Sequence, residues 1–153
     1  MEITDLEMNL RHIFIDKELL ERALTTNGWV NEHKQDPDRV QSQEAFSTLG
    51  DAVLKLIIVD KLIAKGIEDS GIITEDKKKA ENRKTLARIS REFNVGKFMK
   101  MGKSEREHDK IYENDDNLAE TLEALIGAIY LDVGFDAAKK VIMTWSEFER
   151  FVV

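Results

Sequence analysis

Gln43-Glu44-Ala45-Phe46-Ser47-Thr48-Leu49-Gly50-Asp51, continued by Ala52-Val53-Leu54, is the stretch on which the fold turns. It opens a run from about Ser42 to Lys65 in which Phe46, Leu49, Val53, Leu56, Ile57, Val59, Leu62 and Ile63 recur at helical intervals. Apolar residues spread over that much of the circumference predict a long helix at the centre of a domain. Glu44, Ser47 and Asp51 follow i, i+3, i+7 spacing, which at 3.6 residues per turn puts them within about 60° of one another. A carboxylate between Leu49 and Val53 needs compensation, because an unpaired buried one costs about several kcal/mol. Lys55 one turn on, a basic residue of another helix, or a cation would each supply it.

Far along the chain a second run has the same character. Leu118-Ala119-Glu120-Thr121-Leu122-Glu123-Ala124-Leu125-Ile126-Gly127-Ala128 leads into Ile129-Tyr130-Leu131-Asp132, and Asp116, Glu120 and Glu123 follow i, i+4, i+7 spacing on one stripe. Two helices with inward acidic stripes can meet around a hard divalent cation such as Mg2+, which takes a few carboxylates and retains water. Phosphodiester hydrolysis is the chemistry that suits such a centre, which activates water and neutralises phosphate charge. His12, His33 and His108 make no metal-ligand spacing. Beside this stands a plainer account, in which Asp115 and Asp116 serve the helix dipole, Glu120 faces water and Asp51 pairs with Lys55.

Around these two runs the rest reads as helix and turn. Thr4-Asp5-Leu6-Glu7 has capping-box spacing and predicts a helix through Ile13. Asp16 is placed to cap a second helix carrying Leu19, Leu20, Ala23 and Leu24. Asn27 to Val40 is rich in turn formers and reads as a loop with a short helical turn. Thr74 is expected to cap a basic helix to about Phe93, a short segment follows from Val95 to Met101, and Ser104 to Glu113 reads as a loop. Asp115 or Asp116 caps the next helix. Gly134 and Asp136 end it and start the last, with Val141, Ile142, Trp145 and Phe148 facing in. The 153 residues show no internal repeat and no linker, so the expectation is one all-α helical bundle over 1–153.

Composition narrows the class further. There is no cysteine, which removes disulfides, thiolate metal sites and cysteine nucleophiles. No basic-then-apolar leader opens the chain, and no apolar stretch is long enough to span a bilayer. A cytoplasmic protein with no membrane partner is expected. The net charge of -7 argues against binding nucleic acid by bulk electrostatics and leaves room for a local basic strip. Lys77, Lys78, Lys79, Arg83, Lys84 and Arg88 form such a strip, interrupted by Glu75, Asp76 and Glu81. An ordinary solvated helix would look the same.

The two acidic runs resemble the motifs of the ribonuclease III nuclease domain. Gln43 to Asp51 is similar to that family's Asn-Glu-Arg-Leu-Glu-Phe-Leu-Gly-Asp signature, and Leu118 to Ala128 to its Leu-Ala-Asp-x-x-Glu-Ala-Leu-Ile-Gly-Ala motif. Thr85-Leu86-Ala87, Met101-Gly102-Lys103-Ser104-Glu105 and Ala23-Leu24-Thr25-Thr26 also look like family segments. The stretch from Thr26 to Glu44 is several residues longer than the family usually has. The likeness covers roughly Leu19 to Trp145. It implies catalytic Asp51 and Glu123 with support from Glu44, and Mg2+ (with Mn2+ as substitute) held by Asp51, Glu120 and Glu123. It further implies a homodimer with one site per subunit, cutting the two strands of double-stranded RNA, with Lys78, Lys79, Arg83 and Lys84 on the phosphates.

Three positions depart from the family pattern. Ser47 stands for a metal-binding glutamate, Glu120 for an aspartate, and Thr48 for a phenylalanine that plugs into the partner subunit. The small Mini-III class also departs at the first two. The chain runs only eight residues past Trp145, so no C-terminal double-stranded-RNA-binding domain is expected, and RNA binding should be weak and strongly salt-dependent. Two other classes stay open. One is a catalytically degenerate structural or RNA-binding subunit of a ribonucleoprotein, which Ser47 favours. The other is a helical, magnesium-dependent nucleotide pyrophosphohydrolase.

Overall fold

The computed structural model describes residues 2–107, 114–146 and 148, and every regular element among them is helical. In chain order these are α1 (Ile3–Leu10), α2 (Lys17–Ala23), α3 (Asn27–Glu32), α4 (Glu44–Ala64), α5 (Ser70–Glu81), α6 (Arg83–Glu92), a 3₁₀ turn (Val95–Phe98), α7 (Lys103–Glu107), α8 (Asp115–Val133) and α9 (Phe135–Ile142). The predicted all-α bundle is the observed one. Of these described helices none is long and apolar enough to cross a membrane.

α8 rather than α4 lies at the centre. Leu118, Ala119, Leu122, Ala124, Leu125, Ile126, Ala128 and Ile129 are all buried, and α4, α6, α2 and α9 pack around them. α4 buries Phe46, Val53, Leu54, Ile57, Ile58 and Leu62, but Leu56 and Ile63 are more than half exposed. Its apolar circumference is therefore wider than the face it packs, a distinction that periodicity alone does not draw.

Two glycines set the α4–α8 crossing. A Cβ on Gly50 would lie 1.6 Å from the Glu123 carbonyl oxygen, and one on Gly127 would lie 2.3 Å from the Phe46 carbonyl oxygen. Both distances are far inside van der Waals contact, so the backbones approach this closely only because neither residue has a side chain. Gly50 directly precedes Asp51, and Gly127 follows Glu123 by about one turn. The crossing that needs glycine is thus the one that brings these two acids together.

Several helix ends differ from expectation. The capping box of α1 lies at Glu2 and Asp5, with the Glu2 backbone N–H donating to Asp5 Oδ2 at 2.9 Å, and Arg11 at φ 61° ends the helix before Ile13. Glu7 is instead buried, accepting from the Phe14 N–H at 2.7 Å and from Lys17 Nζ at 2.6 Å. The basic helix is two helices. Asp69 rather than Thr74 caps the first, and extended Asn82 caps the second by accepting from the Thr85 N–H at 2.9 Å. A side chain that can bond to its own backbone competes with helix continuation. Asn114, rather than Asp115 or Asp116, caps α8 through the N–H groups of Asp116 and Asn117. Part of the expected Ser104–Glu113 loop is helical, as α7; residues 108–113, with His108, lie outside the described residues.

The end of α8 anchors the N-terminal segment. The nearly buried Asp132 carboxylate accepts from the Ile15 and Asp16 N–H groups at 2.9 and 3.0 Å and lies 2.8 Å from His12 Nε2. Burial opposes its ionisation, yet these two amides and His12 together outweigh that penalty and hold its pKa below the ordinary 3.8.

Candidate active site

The crossing places the acidic stripes of α4 and α8 side by side. Asp51 on α4 and Glu123 on α8 lie near enough for each acid to act on the other. Burial first, then the bond from Asp51 and its negative charge, push the Glu123 carboxyl up to about 8, with Glu120 adding and Arg83 opposing. Two carboxylates this close cannot both ionise cheaply without a counter-charge. Asp51 is not buried as its apolar neighbours suggest: its side chain is 42% exposed, and Lys55 Nζ donates to it at 2.9 Å. Lys55, held protonated chiefly by that bond, also feels Glu81 and Glu123. The predicted Asp51–Lys55 pair therefore exists alongside the Asp51–Glu123 pair.

Glu44 and Glu120 form a second acidic neighbourhood. They face a cavity of about 100 Å3 that Thr26, Asn27, Glu105 and Asn117 also line. Asn27 Nδ2 donates to Glu44 Oε1 at 2.5 Å. Burial raises the Glu120 pKa, with Glu44 and Asp116 adding and Arg83 opposing. Ser47 is buried, and Thr48 is exposed with its hydroxyl donating to the Glu44 carbonyl at 3.2 Å. Among the described residues no three histidine, aspartate or glutamate side chains converge on one point. Of the residues expected there, Asp51 and Glu123 meet, with Glu120 and Glu44 adjoining.

The basic strip is divided by the break at Asn82. Lys78 and Lys79 are exposed at the end of α5, while Arg83 and Lys84 are exposed on the first turn of α6. Cations at a helix start oppose its dipole. Arg83 is offset by Asp116, 3.5 Å away, and its charge reaches Glu120 and Glu123. Arg83 thus borders the acidic site instead of continuing a uniform strip. Reading the sequence missed Glu81 as a neighbour of Lys55, and Asn27 as the partner of Glu44. Neither carries a spacing signal, because α5 and α3 bring them in from outside the two acidic helices.

Comparison with known proteins now bears on the same residues. A family model described as Ribonuclease-III-like matches residues 16–146, a span that contains both acidic runs and the glycine crossing. The chain belongs to the ribonuclease III family. It is 36% identical over 143 residues to Ribonuclease 3 of Caldanaerobacter subterraneus subsp. tengcongensis, covering 92% of this chain and 60% of that protein. It is also 34% identical over 145 residues to Ribonuclease 3 of Pseudothermotoga lettingae, covering 94% and 60%. The chain thus spans about three fifths of the length of these relatives. A solved structure of the ribonuclease III nuclease domain from Campylobacter jejuni, described for flexibility in a region involved in dimer formation, superposes with a TM-score of 0.84 at 32% identity. That match covers 97% of each chain, so this ribonuclease III-family chain has the nuclease-domain fold.

Proposed function

We propose that the protein is a cytoplasmic, metal-dependent endoribonuclease that hydrolyses double-stranded RNA, structured precursors such as ribosomal RNA among its substrates. The observation that carries this reading is the close approach of α4 and α8 at Gly50 and Gly127, which sets Asp51 beside Glu123, an acid that burial and the Asp51 charge disfavour from ionising. The donor set fits Mg2+ or Mn2+: hard carboxylate oxygens in excess of the local positive charge, for an ion that keeps several waters among its ligands. Asp51 and Glu123 would hold the ion, with Glu120 beside them. A divalent ion bound there activates water near neutral pH and neutralises charge on the phosphate.

The protein's own groups divide the remaining work. Lys55 fixes Asp51 by donating to its Oδ2. Glu44, held by Asn27, adds negative potential at the edge. Arg83 stands where a scissile phosphate approaching the acids would meet a guanidinium, and Lys78, Lys79 and Lys84 would take neighbouring phosphates. A homodimer, with one such site per subunit and the exposed Thr48 at the contact, would cut both strands. Family-like products carry a 5′-phosphate and a 3′-hydroxyl.

A second reading, a degenerate subunit that binds RNA without cutting it, draws on the neutral Ser47 and on the Lys55–Asp51 ion pair. Incubating the protein with duplex RNA, and separately with nucleoside triphosphates, under magnesium, manganese or chelator separates the possibilities. The nuclease cuts RNA only with metal, and Asp51→Asn or Glu123→Gln abolishes the cut. Binding without cutting under both metals supports the subunit. Cleavage of free triphosphates alone would replace both readings with a pyrophosphohydrolase.

A further inference from the structure

Outside the acidic site, the chain's half-buried tryptophan belongs to a second constellation. Trp29 and His33 lie one turn apart, at the start of α3 and just past its end, and their rings stack with centroids 3.9 Å apart and planes 14° from parallel. The His33 ring is held by Nδ1, 2.7 Å from the Trp29 carbonyl oxygen, and its outer side is exposed. Lys100 Nζ stands 5.2 Å from the Trp29 ring centroid. With Glu32, Lys103 and Arg106 these residues line an open cavity of about 600 Å3, within the usual size for a small-molecule site. In a chain of net charge -7, three cations against one carboxylate is a local reversal of sign.

The arrangement is fixed in advance. The Glu32 carboxylate accepts from the Lys103 backbone N–H at 2.7 and 2.9 Å, and Glu105 accepts from the Gly102 N–H at 2.8 Å and the Thr26 hydroxyl at 2.7 Å. These bonds clip α3 to α7, and a Cβ on Gly102 would lie 3.0 Å from the Gly28 backbone. Glu32 is thereby spent on a backbone amide, and Lys100 is shared with Glu21. Lys103 and Arg106, both exposed, form the cationic rim, with the Arg106 guanidinium donating to the Met99 carbonyl at 3.3 Å. Flat aromatic rings flanked by cations suit one ligand chemistry above others: a nucleobase stacked on the rings, with its phosphate on the basic rim.

We propose that the Trp29–His33 pair, with Lys103 and Arg106, is a docking site for an unpaired nucleotide of RNA. It adjoins the acidic site through Asn27, the residue two before Trp29 that bonds to Glu44. The preferred substrate class is then a duplex with unpaired purines beside it, a bulge or loop, rather than an uninterrupted helix. This rests on the proposed reading that RNA is the substrate, and it assigns recognition of single-stranded elements to a segment separate from the carboxylates.

Trp29 reports the site directly, because Trp145, the other tryptophan, is only 2% exposed. Single-stranded oligoadenylate titrated into the intact protein in chelator should quench Trp29 emission. His33→Ala, at an exposed position, should weaken oligoadenylate binding about tenfold, the usual loss when a base-stacking ring is removed, and His33→Phe should restore it. Lys103→Glu should lower affinity and flatten its salt dependence. Unquenched emission, or oligoadenylate affinity equal in wild type and His33→Ala, overturns the proposal. Metal-dependent cutting of blunt duplex, assayed in parallel, keeps the two ideas apart. Quenching with no cutting removes the nuclease reading and leaves this site standing, and cutting with no quenching does the reverse.

Discussion

At the residue scale the account turns on a proton. The Glu123 pKa, raised to about 8 from 4.5, favours the metal-free fold while the carboxyl stays protonated. That contribution is complete below pH 4.5 and is lost as pH rises through about 8. For a half-buried group screened by solvent it amounts to about 1 kcal/mol. Metal-free Glu123→Gln, neutral at every pH, should therefore melt higher than wild type at pH 9 and lose that advantage at pH 4, as followed by thermal denaturation. Asp132 has the opposite sign. Its lowered pKa stabilises the fold above pH 3.8 and is lost as pH falls below 3.8. Asp132→Asn should cost about 2 kcal/mol at pH 7, measured by urea denaturation, with the difference shrinking in acid. The sequence made Asp51 and Glu123 legible through their stripes and family motifs. It did not reveal that Asp51 is half exposed, because its apolar neighbours turn into α8 while Asp51 lies at the lip with Lys55.

At the element scale, the crossing of α4 and α8 is what a substitution would break. Gly127→Ala puts a methyl 2.3 Å from the Phe46 carbonyl oxygen, and a rigid backbone atom cannot swing aside. Separating the helices should cost about 3 kcal/mol or more and abolish cutting at temperatures where the protein is still folded. Circular dichroism alongside the cleavage assay would register both. Asn82→Ala should cost only about 1 kcal/mol, the loss of a helix cap. The long apolar runs made both central helices readable, since burial imposes a period of 3.6. Their ends were less so. Asp69, Asn114 and the Glu2–Asp5 box act through one or two bonds to nearby amides, and Thr74, Asp116 and Thr4 offered equally good chemistry a few residues away. Which of two adjacent caps wins depends on tertiary packing.

For the whole molecule, the proposed RNA substrate sets an acidic chain against a polyanion with few cations in its favour. RNA affinity should fall steeply with salt, with a slope set by the handful of lysines and arginines at α5, α6 and α7. Sedimentation should find a dimer at micromolar concentration, and a monomer alone would rule out concerted cutting of two strands. The central claim is narrower than either. It is the proposal that the two acids brought together by the glycine crossing take up a divalent ion. Calorimetric titration of the metal-free protein with magnesium at pH 7, repeated in buffers of different ionisation heat, tests it. Binding should release about one proton per site, the one Glu123 carries at pH 7 with its pKa raised to about 8, and both Asp51→Asn and Glu123→Gln should abolish it. Absence of binding in the wild type, or binding that survives either substitution unchanged, would contradict the account.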